Sequence, residues 1–146
     1  MKSLSVSPIG IVLNGDVDIE RGDWSSQRSE IKLIGRSAEC LLGLEEYSHL
    51  IVIGWLDQIP EELRNRSTAH PAGDERLPLQ GALALRGGAR PNPLSVSVCR
   101  LFAIEGLSVT VEGLDLVDGT PILDLKPYVA FYDARPEATL PRWAEG

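Results

Sequence analysis

Residues 49–56 have the sequence HLIVIGWL, a run of eight dominated by β-branched and aromatic side chains. Such side chains favour strands. A run without polar alternation is typical of a strand that is buried on both faces. The chain has no other stretch of comparable apolar density, so these residues predict the central strand of the fold.

Two alternating runs further along the chain predict an antiparallel hairpin. In residues 94–104, apolar side chains at 94, 96 and 98 alternate with Ser95, Ser97 and Cys99, which is typical of a half-buried strand. Residues 107–111 alternate in the same way. The dipeptide Glu105-Gly106 between the runs is compatible with a tight turn.

Three shorter runs complete the predicted strands. Residues 4–13 form an apolar run in which Pro8 marks a strand edge or a bulge. Residues 30–34 form a short second run. Residues 121–129 predict a last strand, which follows the turn at 118–120.

Little of the sequence favours helix. Residues 38–47 place leucines and a tyrosine at spacings of three and four, which predicts one or two helical turns, and residues 60–64 predict one more. Residues 16–28 are polar and predict a long loop. The fold expected is all-β, a small closed β-barrel of about six to seven strands with one or two short helices, because closure removes exposed strand edges.

Length and composition predict a single domain over residues 1–146. The chain has 146 residues, of which 43% are hydrophobic and 24% are charged, a globular composition. The polar stretch 57–80 is an exposed excursion that could form a mobile lid. The tail 134–146 is expected to pack on the surface or on a partner subunit.

Overall charge argues against non-specific binding to nucleic acid. Fourteen Lys and Arg face 21 Asp and Glu, giving a net charge of −7. Any nucleic-acid contact must therefore come from a local patch. Residues 86–100 provide one, since they contain Arg86, Arg90 and Arg100 and no acid, whereas residues 105–124 contain five acids and no Lys or Arg.

Cysteine and histidine usage points to a reducing cytoplasm and no metal site. Cys40 and Cys99 are far apart in sequence, which argues against a disulfide framework. Only two histidines accompany them, and the acidic segment 115–121 lacks the ligand spacing of an EF-hand. No apolar run approaches the roughly 20 residues of a membrane-spanning helix, and the N-terminus does not resemble a signal peptide.

Several enzyme classes lack their motifs in this sequence. Neither Gly-x-Gly-x-x-Gly nor a P-loop occurs, so a Rossmann or P-loop nucleotide site is not indicated. His49 has no Gly-x-Ser-x-Gly elbow to accompany it, which gives a hydrolase triad little support. A lone histidine at the start of a buried strand is more often a satisfied core residue than a base.

The tetrapeptide Arg90-Pro91-Asn92-Pro93 is the most unusual motif. Each proline fixes its own φ and disfavours helical geometry in the residue before it, so Arg90 and Asn92 are held in an extended segment. A rigid connector into the next strand is one interpretation. A loop that positions side chains for a ligand is the other.

Four sequence blocks together resemble the TsaA-like (TrmO-type, YaeB-like) family of S-adenosylmethionine-dependent methyltransferases. Order and spacing both match from residue 8 to about residue 133. The blocks are Pro8-Ile9-Gly10, GLEEYSHL at 43–50, Arg86 with RPNP at 90–93, and GLDLVDGTPILDLKPY at 113–128.

The resemblance implies a small barrel, usually a homodimer, that binds S-adenosylmethionine without a Rossmann fold. Family members of known function methylate the exocyclic nitrogen of threonylcarbamoyladenosine next to the tRNA anticodon. The cofactor-binding residues that the resemblance implies are Leu44, Ser48, Arg86, Arg90, Asn92, Pro93, Asp118, Thr120, Asp124, Lys126 and Tyr128. Among residues that match the motifs, His49 or Asp118 would serve as the base that assists the poorly nucleophilic acceptor nitrogen.

Roles within this implied set follow from ligand chemistry. Arg86 or Arg90 would hold the methionine carboxylate, Asn92 the adenine or ribose, and Asp118 the amino group or ribose hydroxyls. Contact with tRNA would use Arg86, Arg90 and Arg100.

Three stretches depart from the family pattern. Trp24-Ser25-Ser26-Gln27-Arg28 stands where Pro-Arg-Gln is common, and Gly87-Gly88 replaces the end of a conventional Arg-Ser-Pro segment. Ser95 stands where the family has glycine, which removes room for close backbone approach. Two alternatives therefore stay open, a methyltransferase acting on an unidentified small molecule and a non-catalytic S-adenosylmethionine-binding module.

Overall fold

Eight strands and two short α-helices form the regular structure of the residues described, 1–15 and 24–145, in a computed structural model. Short 3-10 turns join several of them. The strands are β1 (Gly10–Leu13), β2 (Arg28–Leu33), β3 (His49–Trp55), β4 (Thr68–Ala69), β5 (Gln80–Gly81), β6 (Leu94–Glu105), β7 (Ser108–Glu112) and β8 (Pro121–Pro127). The helices are α1 (Glu61–Arg64) and α2 (Ala130–Asp133).

Six of the strands close into an antiparallel barrel in the order β1-β2-β7-β6-β3-β8, and β8 pairs back to β1. β3 has long ladders on both sides, with β6 over its whole length and with β8 from Leu50 to Gly54. The predicted hairpin is β6 and β7, which turn at Glu105–Ser108. The prediction of an all-β closed barrel is confirmed, whereas β3 is not a central strand, because every strand of a closed barrel has a neighbour on both sides.

The barrel encloses one apolar core. Its fully buried side chains include Leu50 and Val52 of β3, Ile31 of β2, and Val109 and Val111 of β7. In each strand these residues alternate with outward-facing ones, because successive side chains of a strand point to opposite faces. Burial of this set supplies the main apolar driving force for closing the barrel.

The prediction that β3 is buried on both faces is wrong. Leu50, Val52 and Gly54 are buried, but the alternate residues Ile51 and Ile53 are half-buried and His49 is exposed. A closed barrel has a single interior, so a strand in it has one face in the core and the other outside. The continuous apolar run therefore signals an apolar outer face, and His49 is not a core residue.

β6 has its apolar residues on the outside. Leu94, Val96 and Val98 are 42%, 50% and 53% exposed. The alternate positions face inward, where Ser95 and Ser97 are half-buried and Cys99 is buried. The alternation correctly predicted a half-buried strand, but the polar side of the strand lines the interior.

Several predicted boundaries differ at the strand ends. β1 begins at Gly10 and not at residue 4, because Pro8 lacks the N–H that a ladder requires, and residues 4 and 6 are exposed. β2 begins two residues earlier than predicted, at Arg28. β8 ends at Pro127, two residues early, and α2 follows. Of the loop predicted over 16–28, residues 16–23 lie outside the described part, and Trp24–Ser26 form a 3-10 turn.

The predicted helical turns are present. Residues 38–47 form two 3-10 turns, Ala38–Leu41 and Leu44–Glu46, separated by Gly43 with a φ of 90° that favours glycine. α1 matches the turn predicted at 60–64.

In the described part of the chain, no helix is both long and apolar enough to cross a membrane.

The chain divides into two compact units. The barrel unit consists of Met1–Asp57 and Leu94–Tyr128, and the second unit consists of Gln58–Pro93 and Val129–Gly146. The second unit contains α1, α2 and the two-stranded ladder of β4 and β5. Residues 57–80 thus include regular elements. The single domain over 1–146 and the lid role of 57–80 stay predictions.

Gly10 allows β1 to approach β2 closely, and this predicts a position where a methyl group is not tolerated. A Cβ added at Gly10 would lie 2.6 Å from the carbonyl oxygen of Lys32. We expect Gly10→Ala to lower the free energy of unfolding by about 1–3 kcal/mol, since the two paired strands must move apart. Urea denaturation followed by circular dichroism measures this change.

Gly81→Ala is the matched control. An added Cβ at Gly81 meets nothing within 4 Å and its φ is −65°. The control should change the stability by no more than about 0.5 kcal/mol. Equal effects of the two variants would contradict the proposed steric role of Gly10.

Candidate functional site

One end of the barrel is closed by the loop between β7 and β8. Asp118 Oδ1 accepts hydrogen bonds from the backbone N–H groups of Asn14 (2.8 Å) and Gly15 (3.1 Å). The N–H of Gly119 donates to the carbonyl of Val12 at 2.8 Å. Asp118 therefore fastens the turn after β1 to this loop, and we call this region the loop end of the barrel.

Thr120 is a structural part of the same loop. It is buried, and its hydroxyl donates to the carbonyl of Val117 at 2.7 Å. Its carbonyl accepts from the N–H of Val12 at 3.0 Å. Thr120 thus shapes the turn that precedes β8.

The side chain of Asn14 has a free acceptor at the loop end. Its Nδ2 donates to the carbonyl of Leu116 (2.8 Å) and to Ser29 Oγ (3.3 Å). Its Oδ1 is buried and has no hydrogen-bond partner in the described structure. A buried acceptor without a partner costs about 1–3 kcal/mol, so its persistence points to a ligand.

Ser95 provides a second buried oxygen without a partner in the described residues. It lies opposite Gly54 in the β3–β6 ladder. A Cβ built on Gly54 would fall 2.8 Å from Ser95 Oγ and 3.0 Å from Leu116 Cδ1. Leu116 therefore lies near both unpartnered oxygens. Its carbonyl accepts a hydrogen bond from the Asn14 amide, and its side chain lies next to Gly54, which is opposite Ser95.

Two carboxylates, those of Asp115 and Asp118, lie at this end. Asp115 Oδ1 accepts from Ser97 Oγ at 2.9 Å, and Asp118 lies three residues further along the loop. Burial raises the pKa of the Cys99 thiol to about 12, and the negative charge of Asp115 adds to the effect. Cys99 is therefore a protonated, unreactive thiol near neutral pH. The loop end combines negative charge with free acceptors, which suits a small ligand that is cationic and rich in donors.

Ser48, His49 and Tyr128 lie together at the opposite end of β8. Ser48 Oγ is hydrogen-bonded to His49 Nδ1 at 2.7 Å, and both residues are exposed. The rings of His49 and Tyr128 meet edge to face with centroids 6.2 Å apart. The N–H of Tyr128 donates to the carbonyl of His49 at 3.0 Å. This is a surface cluster of a hydroxyl, an imidazole and a phenol.

Leu44, Asp124 and Lys126 lie near that cluster along β8. Asp124 Oδ2 and Lys126 Nζ form an exposed ion pair at 2.9 Å. Leu44 and Asp124 both line a cavity of about 630 Å³ in the barrel unit, together with Leu33, Leu41 and Leu125 among others. The structure thus brings Leu44 and Asp124 to one cavity.

His49 and Asp118 do not form one centre within the chain. Asp118 precedes β8 and His49 is paired with the residue that follows it, so the seven residues of β8 separate them. At about 3.3 Å per residue this is roughly 20 Å. Only one of the two can reach a given acceptor atom in a single copy.

The remaining predicted site residues belong to the second unit, except Arg100. Arg90 Nη1 donates to the carbonyls of Leu85 (2.7 Å) and Gly87 (3.1 Å), which ties the Gly87-Gly88 loop to the RPNP segment. Asn92 is exposed and Pro93 is buried. Arg86 is exposed and lines a groove in the second unit.

Arg100 lies in the barrel unit on β6, exposed and in register with His49. The three arginines expected to contact tRNA are therefore distributed over both units.

In the described residues, no group of three His, Cys, Asp or Glu side chains is arranged to hold a metal ion.

Sequence reasoning missed Asn14, Gly54 and Leu116 as site residues. Asn14 lies outside the matched motif blocks, and nothing in its neighbourhood marks its side chain as buried. Leu116 lies within the block at 113–128, but its apolar side chain gave no chemical signal. Ser95 was noted only as a departure from a family glycine, and its position opposite Gly54 supplies the room that its side chain needs.

Comparison with known proteins identifies relatives over most of the chain. The tRNA (adenine(37)-N6)-methyltransferase of Escherichia coli is 31% identical over 153 aligned residues, which cover 95% of this chain and 63% of that protein. The S-adenosyl-L-methionine-binding protein of Archaeoglobus fulgidus is 31% identical over 127 residues, which cover 84% of this chain and 88% of that protein. The crystal structure of TrmO from Pseudomonas aeruginosa superposes with a TM-score of 0.75 at 29% identity, covering 98% of this chain and 62% of that one.

The chain is shorter than several of these proteins. It spans about half of VirR from Rhizobium radiobacter, with 49% of that protein covered at 41% identity over 90 residues. Residues 17–134 match the family of the tRNA-methyltransferase O N-terminal domain. The barrel and its loop-end site thus occur in a chain that belongs to the family of the tRNA-methyltransferase O N-terminal domain.

Proposed function

We propose that this protein is a methyltransferase that uses S-adenosylmethionine and acts on the amino nitrogen of threonylcarbamoyladenosine next to the anticodon of tRNA. Family membership supports the reaction class, and relatives from Escherichia coli and Mus musculus bear the name tRNA (adenine(37)-N6)-methyltransferase. The observation that carries the proposal is the pair of buried oxygens without partners in the described residues, Asn14 Oδ1 and Ser95 Oγ.

The loop end fits S-adenosylmethionine chemically. Two of the cofactor's groups, the sulfonium and the ammonium, are cationic, and Asp115 and Asp118 provide negative charge at this end. The ammonium, the ribose hydroxyls and the adenine amino group are donors, for which Asn14 Oδ1 and Ser95 Oγ are acceptors. When bound, the cofactor supplies a methyl group on sulfur that is activated for transfer.

The protein's own residues would contribute binding and orientation. Asp118 and Thr120 hold the loop and the turn after β1 in place, so Asn14 is positioned before any ligand enters. Leu116 fixes the Asn14 amide and contacts the Ser95 side of the site. The cofactor roles of Leu44, Ser48, Arg86, Arg90, Asn92, Pro93, Asp124, Lys126 and Tyr128 stay predictions.

The base is either Asp118 or His49. Asp118 is present at the loop end, although its Oδ1 already accepts two N–H groups. His49 lies at the other end of β8, so its action at the loop end requires a second copy of the chain. The proposed homodimer would supply that copy.

A small-molecule methyltransferase or a non-catalytic binding module is the alternative. The net charge of −7 and the relatives named only as S-adenosyl-L-methionine-binding proteins favour it. These alternatives share the cofactor site with the proposed function. The first differs from it in the methyl acceptor, and the second transfers no methyl group. We propose that the protein works in the cytoplasm, where tRNA and S-adenosylmethionine are both available.

Methyl transfer is the direct test. We expect purified protein with methyl-labelled S-adenosylmethionine to label tRNA that contains threonylcarbamoyladenosine, and to leave tRNA without this modification unlabelled. Label in a metabolite pool alone would support the small-molecule alternative. Saturable cofactor binding with no transfer to any acceptor would support the binding module. The absence of cofactor binding would contradict all three hypotheses.

Ser95→Ala tests the role of the free oxygens. Removing a buried oxygen that has no partner in the described part of the chain should leave the thermal midpoint unchanged or raise it. Affinity for S-adenosylmethionine in calorimetry should fall about three- to tenfold, the effect of losing one hydrogen bond. Ser108→Ala is the control, since Ser108 Oγ donates to Glu30 at 2.7 Å in the strand pair β2–β7. Unchanged affinity in Ser95→Ala would remove this end of the barrel from the cofactor site.

We propose a homodimer that pairs through the outer face of β3 and β6. Ile51 lies beside Val98 and Ile53 beside Val96 in the ladder, so four aliphatic side chains form a continuous patch. The exposed fractions of Val96 and Val98 are about one half. An exposed apolar patch of this kind is typical of a protein interface.

Val98→Asp should therefore yield monomers in light scattering coupled to size exclusion. A carboxylate at the centre of the patch would be buried without a partner in the dimer, which costs several kcal/mol. Leu42→Asp is the control, because Leu42 is 87% exposed and lies outside the patch. A dimer that survives Val98→Asp would place the interface elsewhere.

A further inference from the structure

A groove of about 750 Å³ lies within the second unit. Its lining includes three basic side chains, Arg66, His70 and Arg86, and one acid, Glu75. Trp143 also lines it. The groove thus combines positive charge with an aromatic ring.

Charge is unequally divided between the two units. The second unit contains seven Lys and Arg and seven Asp and Glu, whereas the barrel unit contains seven Lys and Arg and fourteen Asp and Glu. The net charge of −7 thus belongs to the barrel unit. The second unit thus has no net negative charge of its own to repel a polyanion.

Arg66 is available to a ligand, in contrast to its neighbours. Arg76 is paired with Asp74 at 2.8 Å, and that bond holds the pKa of the Asp74 carboxyl below its usual range. Arg90 donates to backbone carbonyls. In the described part of the chain, the Arg66 guanidinium makes neither an ion pair nor a hydrogen bond, although it lines the groove.

The groove wall is stiff. His70 Nδ1 lies 2.9 Å from the carbonyl of Leu77, and since a carbonyl only accepts, Nδ1 is protonated and Nε2 is left for other contacts. The adjoining turn contains Ala72 with a φ of 53°. A non-glycine residue in the left-handed region costs free energy that the surrounding structure must offset. Such strain is frequent at ligand sites.

We infer that this groove binds a single-stranded segment of the RNA acceptor, with a phosphate at Arg66 and a base stacked on Trp143. Arginine suits phosphate because its planar fork donates two hydrogen bonds. An aromatic face accepts any base, so the contact tolerates variation in sequence. The inference rests on the proposed function, since that function supplies RNA as the acceptor.

The test is binding of a short RNA hairpin with the sequence of an anticodon arm, measured by fluorescence anisotropy between about 50 and 200 mM salt. We expect Arg66→Ala to weaken binding several-fold and to reduce the salt slope by about 0.7, the loss of one phosphate contact on a single strand. Trp143→Ala should weaken binding without changing the slope. Trp143→Phe, which keeps an aromatic face and much of the packing, should restore most of the affinity.

Arg76→Ala is the matched control, since it removes the same charge from the same unit but lies outside the groove lining. Equal weakening by Arg66→Ala and Arg76→Ala would show a general charge effect and overturn the inference. So would binding of polyglutamate that depends on Arg66 and not on Trp143, because the occupant would then be an acidic protein segment. Circular dichroism checks that each variant is folded.

Failure of this inference can be told apart from failure of the proposed function. If Arg66→Ala transfers methyl groups to an anticodon-arm hairpin that contains threonylcarbamoyladenosine, with the KM of the native protein, the groove is excluded and the function stands. If the native protein transfers no methyl group to RNA but binds the hairpin through Arg66 and Trp143, the groove stands and the proposed reaction fails.

Discussion

Closure of the barrel depends on its shortest ladder, the contact between β1 and β8. Only Gly10 and Ile11 are paired with Ile122 and Pro121 in that ladder. The loop before β8 adds hydrogen bonds that the short ladder lacks. The Val12 N–H donates to the carbonyl of Thr120, the Gly119 N–H donates to the carbonyl of Val12, and Asp118 accepts from the turn after β1. The same contacts that close the barrel therefore frame the loop-end site. Disturbing one without the other is difficult, because Asp118 takes part in both.

The site has two kinds of residue with different physical duties. Asp118 Oδ1 and the Thr120 hydroxyl are engaged by the protein and give the loop its shape. Asn14 and Ser95 each have a buried oxygen without a partner among the residues described, which is a cost to the folded state that a ligand would offset. Sequence motifs alone do not distinguish the residues that shape the loop from those that present an oxygen to a ligand, since both kinds are polar and lie near one another.

Local patterns predicted the strands well because adjacent residues decide them. The run HLIVIGWL and the two alternating runs around Glu105-Gly106 became β3, β6 and β7. Which face of a strand is buried depends on residues that are distant in sequence. The prediction therefore failed for β3, which is buried on one face only, and in β6 the apolar residues lie on the outer face while the serines face the interior. The resemblance named the family correctly. It could not indicate that His49 and Asp118 stand at opposite ends of β8, nor that Ser95 faces Gly54 across a ladder.

The Gly54–Ser95 pair has an evolutionary consequence. Their shared space admits one side chain, because a Cβ on Gly54 would fall 2.8 Å from Ser95 Oγ. The two positions are thus a single volume divided between two strands. With glycine at the second position, a methyl group at the first would still meet Leu116 Cδ1 at 3.0 Å, which must shift slightly. With serine there, it would also meet the hydroxyl oxygen at 2.8 Å. Substitutions at positions 54 and 95 should therefore be coupled. A chain with glycine at both positions would be the intermediate between a side chain at position 95 and a side chain at position 54.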